Sequence, residues 1–147
     1  NVGPLITALT RTGFRVQIET SGAVKYAPGH LNMPSVFTVV SPKTMTINSV
    51  VRTNADAWKY IIGADTEVTL EGIPVDNTQR QDGPKRQLAS PLHKDRGKIW
   101  LQPREDYLPD GTPNQLANRA NIDRVRELAT TFGYNVSIQT HKILGVE

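Results

Sequence analysis

The 147 residues (16.3 kDa) make one domain-sized chain able to bury most of the surface its unfolded form exposes, so it needs no covalent staple. With 37% hydrophobic and 21% charged residues, no apolar run near the roughly 18 residues of a membrane span and no basic-then-apolar start, the composition excludes disordered, fibrous and membrane-spanning classes; a cytoplasmic location is expected. A cysteine count of zero removes disulfides, thiolate metal sites and cysteine nucleophiles, while the formal charge of +3 is local: Arg80, Lys85, Arg86, Lys94, Arg96, Lys98 and Arg104 crowd one stretch.

The chain opens on Asn1, and Val2, Leu5, Ile6 and Leu9 recur at helical spacing before Gly13, a helix stop. A helix already under way at the first residue is the expectation, and with it an incomplete chain. Phe14 to Thr20 alternates apolar and polar residues as a strand, closed by the Ser21-Gly22 turn. Residues 23–35 are broken by Pro28, Gly29 and Pro34, and Val36 to Val40 reads as a second strand closed by Ser41-Pro42-Lys43. A short helix is predicted over Asn54–Trp58, then a strand over Tyr60-Ile61-Ile62 ending at Gly63.

From 64 to 97 periodicity fails, apart from a possible strand over Glu67–Leu70, and the stretch reads as a basic insertion or lid. Ile99-Trp100-Leu101 is a fourth strand running into Gln102-Pro103-Arg104-Glu105. Pro109-Asp110-Gly111 marks a turn. Thr112 or Asn114 then caps a helix whose apolar face collects Leu116, Ala120, Val125, Leu128, Ala129 and Phe132, stopped by Gly133. Asn135 to Thr140 is the last strand, followed by His141-Lys142 and a tail to Glu147.

Strands alternating with helices or helix-length connections indicate a single α/β domain over 1–147, with a parallel sheet as an open fold or partial barrel. Four polar clusters then fall at the carboxyl ends of strands, the edge where parallel sheets bind ligands: Glu19-Thr20-Ser21, Ser41-Pro42-Lys43, Gln102 to Glu105, and Gln139 to Lys142. By residue type alone each stays open. Glu19 is a base, an acceptor for a ribose or amine, or a plain strand-end residue; Lys43 grips an anion or is solvated; His141 touches a heterocycle or is structural. His30 and His93 sit in irregular loops and are given no chemistry. No GxGxxG, P-loop, HExxH or GxSxG pattern occurs, and the basic stretch lacks the aromatic interleaving of a nucleic-acid face.

Four blocks taken together carry a resemblance: Ile18-Glu19-Thr20-Ser21-Gly22, Val39-Val40-Ser41-Pro42-Lys43, Trp100-Leu101-Gln102-Pro103 and Val136-Ser137-Ile138-Gln139-Thr140-His141-Lys142. In order and spacing they resemble the carboxyl-terminal two thirds of the 7-carboxy-7-deazaguanine synthase family of radical S-adenosylmethionine enzymes, most weakly over 64–97. The resemblance implies a partial parallel (β/α) barrel of the radical SAM type, incomplete at the amino terminus. It also implies ring contraction of 6-carboxy-5,6,7,8-tetrahydropterin to 7-carboxy-7-deazaguanine with loss of ammonia, on the route to queuosine in tRNA. The family uses S-adenosylmethionine, a [4Fe–4S] cluster and Mg²⁺.

Carried over by position, the resemblance places Ser41, Pro42, Lys43, Gln102, Pro103, Arg104 and Glu105 against S-adenosylmethionine. Glu19 faces the cavity as a hydrogen-bonding carboxylate, Gln139 and His141 face the pterin, and Glu147 matches the family's terminal carboxylate. Glu105 stands where an aspartate is usual. The family's cluster-binding cysteine loop, Mg²⁺-binding Thr and TGGEP segment have no counterpart among the 147 residues, so these residues alone should be inactive. The alternative is a cysteine-free descendant acting as a non-catalytic nucleotide- or pterin-binding or regulatory protein. No nucleic-acid or membrane partner is expected, and a homodimer is compatible with an exposed sheet edge.

Overall fold

The computed structural model describes residues 2–25, 29–77 and 87–140, with the backbone alone at positions 93, 94 and 96. Helix α1 (Gly3–Arg11) carries Pro4 in its first turn, where the missing N–H has no intrahelical partner to lose, and it ends before Gly13. Strand β1 (Val16–Thr20) pairs with β2 (Val36–Val40) over five positions, from Val16 opposite Val36 to Thr20 opposite Val40. Helix α2 (Ser49–Thr53) leads to β3 (Ala57–Ile62), β4 (Ile99–Pro103) follows, and helix α3 (Gln115–Phe132) connects β4 to β5 (Asn135–Val136).

All four strand pairings are parallel and the order is β1-β2-β3-β4-β5, so the chain is an α/β protein. Every crossover steps to the next position in the same direction. Because crossovers between parallel strands are right-handed, a sheet wound this way receives its connections on one face. Register and alternation identify that face. Val40, Trp58, Tyr60, Ile62, Ile99 and Leu101 share it and pack with Val51 of α2 and Val125, Leu128 and Ala129 of α3. Each of these large side chains is essentially excluded from water, and each such burial stabilises by about 1.5–3 kcal/mol.

The opposite face carries Gln17, Glu19, Phe37, Val39, Ala57, Lys59, Ile61, Trp100 and Gln102. No helix covers it among the described residues, and Phe37 and Trp100 keep 43% and 37% of their surface in solvent.

Several expected boundaries shift. The short helix lies at Ser49–Thr53 rather than 54–58, because Asn48 caps it by accepting from the Val50 N–H at 3.1 Å, and Ala57 and Trp58 belong to β3. The possible strand over Glu67–Leu70 is a single antiparallel bridge, Val68 opposite Pro74. The last strand pairs only through Val136, with the Ser137 N–H still donating to the Leu101 carbonyl at 2.8 Å. Of the two candidate caps of α3, Asn114 acts, accepting from the Ala117 N–H, and Gly133 stops the helix at φ +71°. Leu116 and Ala120 are no part of the buried face of α3: both are exposed, Leu116 to 84%, and the first buried residue of the helix is Asn121.

The two ends of the 64–97 stretch are built into the core rather than laid over it. Ile73, Leu88 and Ala89 are buried. The Tyr60 hydroxyl donates to the Ala89 carbonyl at 2.7 Å, and the Arg52 guanidinium donates to the Ser90 carbonyl at 2.9 Å while lying 5.4 Å over the Trp58 ring. The middle of the stretch, with Arg80, Lys85 and Arg86, lies outside the described residues.

Candidate functional site

Parallel pairing in consecutive order brings the carboxyl ends of β1 to β4 to one edge, and the expected clusters leave from it. The Ser41 N–H donates to the Thr20 carbonyl at 2.7 Å and the Arg104 N–H to the Ile62 carbonyl at 2.7 Å, so each loop departs by extending the ladder of its neighbour. Pro42 is buried there, while Ser41 and Lys43 are half-buried.

On the uncovered face Glu19 is the centre of a polar network. Its Oε2 lies 2.6 Å from Lys59 Nζ, and its Oε1 accepts from Gln17 Nε2 at 3.2 Å. Lys59 keeps only 14% of its side chain in solvent, against 51% for Glu19. Lys43, leaving β2, stands close enough to Lys59 to feel its charge. Burial first, and the Lys59 ammonium second, lower the Lys43 pKa below the ordinary lysine value. Glu19 and Lys43, expected from sequence, are thus joined by Lys59, which sequence reasoning passed over. Its only signal is parity: in Trp58-Lys59-Tyr60-Ile61-Ile62 the alternation that sends the aromatic rings to the core sends Lys59 to the other face.

The loop after β4 is tied down by a different set of groups. Arg104 forms a fork with Asp106, Nε to Oδ1 at 2.9 Å and Nη2 to Oδ2 at 3.2 Å, and its Nη1 lies 3.0 Å from Asp65 Oδ1. Burial opposes the Arg104 charge, and the hydrogen bonds and charges of Asp106 and Asp65 outweigh it, raising its pKa. Asn121 of α3, 1% exposed, accepts from the Ala64 N–H at 2.7 Å and donates to the Arg104 carbonyl at 2.8 Å and Asp106 Oδ2 at 2.9 Å. That amide is the first cause, and Arg104 a further one, of an Asp106 pKa held below the ordinary carboxylate value against the opposing effect of burial. Gly63 makes room for the knot: a Cβ there would sit 2.6 Å from Arg104 Cζ. The Arg104 guanidinium, a predicted cofactor contact, is therefore occupied by two carboxylates. Neither Asp65, Asp106 nor Asn121 was read as a site residue, because their roles come from a loop geometry with no sequence signature.

A groove of about 560 Å³ runs beside this knot, lined by Gln102, Pro103, Arg104 and Glu105, by α3 and by Val136, Ile138 and Gln139. Two of the four predicted clusters share it. Glu19, Ser41 and Lys43 do not line it; Glu19 pairs with Lys59, Lys43 feels the Lys59 charge, and Ser41 extends the ladder beside Thr20. Gln139 falls beyond the short β5 and is exposed, while His141 and Glu147 lie outside the described residues.

The donor set fits some ligand groups and not others. Carboxylate, ammonium, hydroxyl and amide groups around Glu19, Lys59, Lys43, Ser41 and Gln102 suit a ligand carrying both charges and hydroxyls. An iron–sulfur cluster is not suited by these residues, since none of the 147 is cysteine, and among the described residues no three His, Asp or Glu side chains are placed to hold a metal ion. Among the described residues no helix is long and apolar enough to cross a membrane.

No family model matches the sequence, and no solved structure matches it. The chain is 34% identical over 152 aligned residues to a curated 7-carboxy-7-deazaguanine synthase from Rhodospirillum rubrum, an alignment that takes in 99% of this chain. It spans 59% of the length of that relative. A match so complete on this side takes in all four blocks that first suggested the likeness, and the chain is similar to 7-carboxy-7-deazaguanine synthase along essentially its whole length.

Proposed function

We propose that these residues form the carboxyl-terminal, ligand-facing part of a radical S-adenosylmethionine enzyme of the 7-carboxy-7-deazaguanine synthase type, a carbon–nitrogen lyase. The reaction is ring contraction of 6-carboxy-5,6,7,8-tetrahydropterin to 7-carboxy-7-deazaguanine with release of ammonia, in the cytoplasm, on the route to queuosine. The observation that carries this reading is the similarity, along 99% of this chain, to 59% of the Rhodospirillum rubrum synthase. The parallel sheet supports it, because the carboxyl ends of its strands share one edge and that edge is where (β/α) folds bind their ligands.

In this reading Ser41, Pro42 and Lys43 and the Gln102–Glu105 loop contact S-adenosylmethionine. Arg104 contributes through its backbone and by fixing the loop, since its guanidinium is held by Asp65 and Asp106. Glu19 accepts hydrogen bonds from ligand, and Gln139, His141 and Glu147 face the pterin. The cluster and the Mg²⁺ take their ligands from residues other than these 147, and no step through either is assigned to this chain. The zero cysteine count favours a second reading, a non-catalytic nucleotide- or pterin-binding or regulatory protein.

Complementation separates the two. The complete gene should restore queuosine to the tRNA of a strain deleted for its own synthase, and a plasmid expressing only these 147 residues should not. A well-expressed complete gene that restores none would overturn the enzyme reading.

A further inference from the structure

Lys59 is the least exposed member of the network on the uncovered face, and its position explains its reach. Glu19 is opposite Val39 in β2, Val39 is opposite Ala57 in β3, and Lys59 lies two residues beyond Ala57. Two strand spacings and two residues along the strand put the Cα atoms of Glu19 and Lys59 about 12 Å apart. A 2.6 Å contact between the side-chain ends therefore requires both to be nearly extended, the lysine stem crossing over β2. Val39 and Ala57 are buried although no helix covers their face among the described residues, as such a crossing would produce. With Lys59 on Oε2 and Gln17 on Oε1, the carboxylate is held at both oxygens, and about half of its four lone-pair sites stay open to a further donor.

We infer that Lys59 is the positioning residue for Glu19: it stretches the carboxylate across β2 and presents it, as an acceptor of fixed direction, to donors on the bound ligand. Stability is a poor reason for such a pair. An ammonium with one exposed partner gains little net energy, and replacement by an apolar chain of similar length is often neutral. The inference rests on the proposed function, in which Glu19 faces ligand.

The test is calorimetric titration of the full-length, anaerobically reconstituted protein with S-adenosylmethionine and, separately, with 6-carboxytetrahydropterin. The variants are Glu19→Gln, Lys59→Met, Lys59→Arg and the double variant Glu19→Gln/Lys59→Met. Glu19→Gln should weaken one of the two probes by about tenfold, the size of one charge-assisted hydrogen bond. Lys59→Met should weaken the same probe by a similar factor, the double variant should be no worse than either single one, and Lys59→Arg should recover most of the binding. The urea midpoint of Lys59→Met should stay close to wild type, which separates positioning from a structural role. Lys59→Met binding as wild type, or factors that multiply in the double variant, would overturn the inference while leaving the proposed function standing. A wild-type protein that binds neither probe would overturn both.

Discussion

Removing the amide of Asn121 should cost more than removing any exposed charge in the molecule. In Asn121→Ala three hydrogen bonds vanish, from the Ala64 N–H at 2.7 Å, to the Arg104 carbonyl at 2.8 Å and to Asp106 Oδ2 at 2.9 Å. Two are bonds to backbone groups worth about 1 kcal/mol each, and the third, to a carboxylate, about 1.5–3 kcal/mol. Water entering the gap recovers a part, so the net loss should be about 3 kcal/mol, a large share of the roughly 5–15 kcal/mol that holds a domain of this size. Urea unfolding followed by far-ultraviolet circular dichroism measures it directly. The pH dependence carries a second signature. The Asp106 pKa is depressed in the folded state, so its contribution is complete above the unfolded carboxyl value and is lost as pH falls through the lower folded value. Wild type should lose stability below about pH 4, and Asn121→Ala should lose less over the same range, because the first cause of the depression is gone. A loss under about 1 kcal/mol at neutral pH, or an unchanged acid slope, would refute the role given to Asn121.

Three further changes probe the same framework. Tyr60→Phe removes the donor to the Ala89 carbonyl and should cost about 1–2 kcal/mol in urea unfolding, with faster amide exchange over residues 87–90. Gly63→Ala puts a Cβ 2.6 Å from Arg104 Cζ and 2.7 Å from Asp65 Oδ1. The guanidinium end must withdraw, at about 1 kcal/mol, and most of that cost should disappear in an Arg104→Ala background. The Lys43 pKa is lowered, so on the alkaline side the unfolded chain binds more protons there than the folded one, and stability should rise with pH toward the ordinary value of 10.5. Lys43→Met should abolish that rise in urea midpoints.

How far the sequence disclosed this architecture depended on whether a signal was local. The stop at Gly13, the Asn114 cap, the Gly133 stop, the alternation of β1 and the apolar run of β2 are each written in a few adjacent residues, and each appears where expected. The helix at Ser49–Thr53 was misplaced because Val50, Val51 and Thr53 are β-branched and favour strands, whereas a side-chain cap from Asn48 and packing of Val51 hold them helical. Leu116 was assigned to a buried face because periodicity says nothing of how far a helix overhangs the sheet it packs on. The Arg104 knot was invisible for a related reason: Asp65, Asp106 and Asn121 are 15 to 56 positions apart and meet only through the parallel crossovers.

That knot and the Glu19–Lys59 pair divide the strand edge between two kinds of charge. Arg104, Asp106 and Asp65 spend their hydrogen bonds on one another and on Asn121, which fixes the exits of β3 and β4 against α3. Such groups are poor ligand contacts because a ligand would have to break bonds already made. Glu19 is half in solvent, on the face without helices, with only part of its acceptor capacity used, and Lys43, near Lys59, has a weakened hold on its proton. An anion arriving at Lys43 would strengthen that hold, and donors arriving at Glu19 would meet a carboxylate already aimed. In the proposed reading the ligand therefore meets the ends of β1 and β2 and the face of β3, with the loop after β4 as the rigid wall beside it.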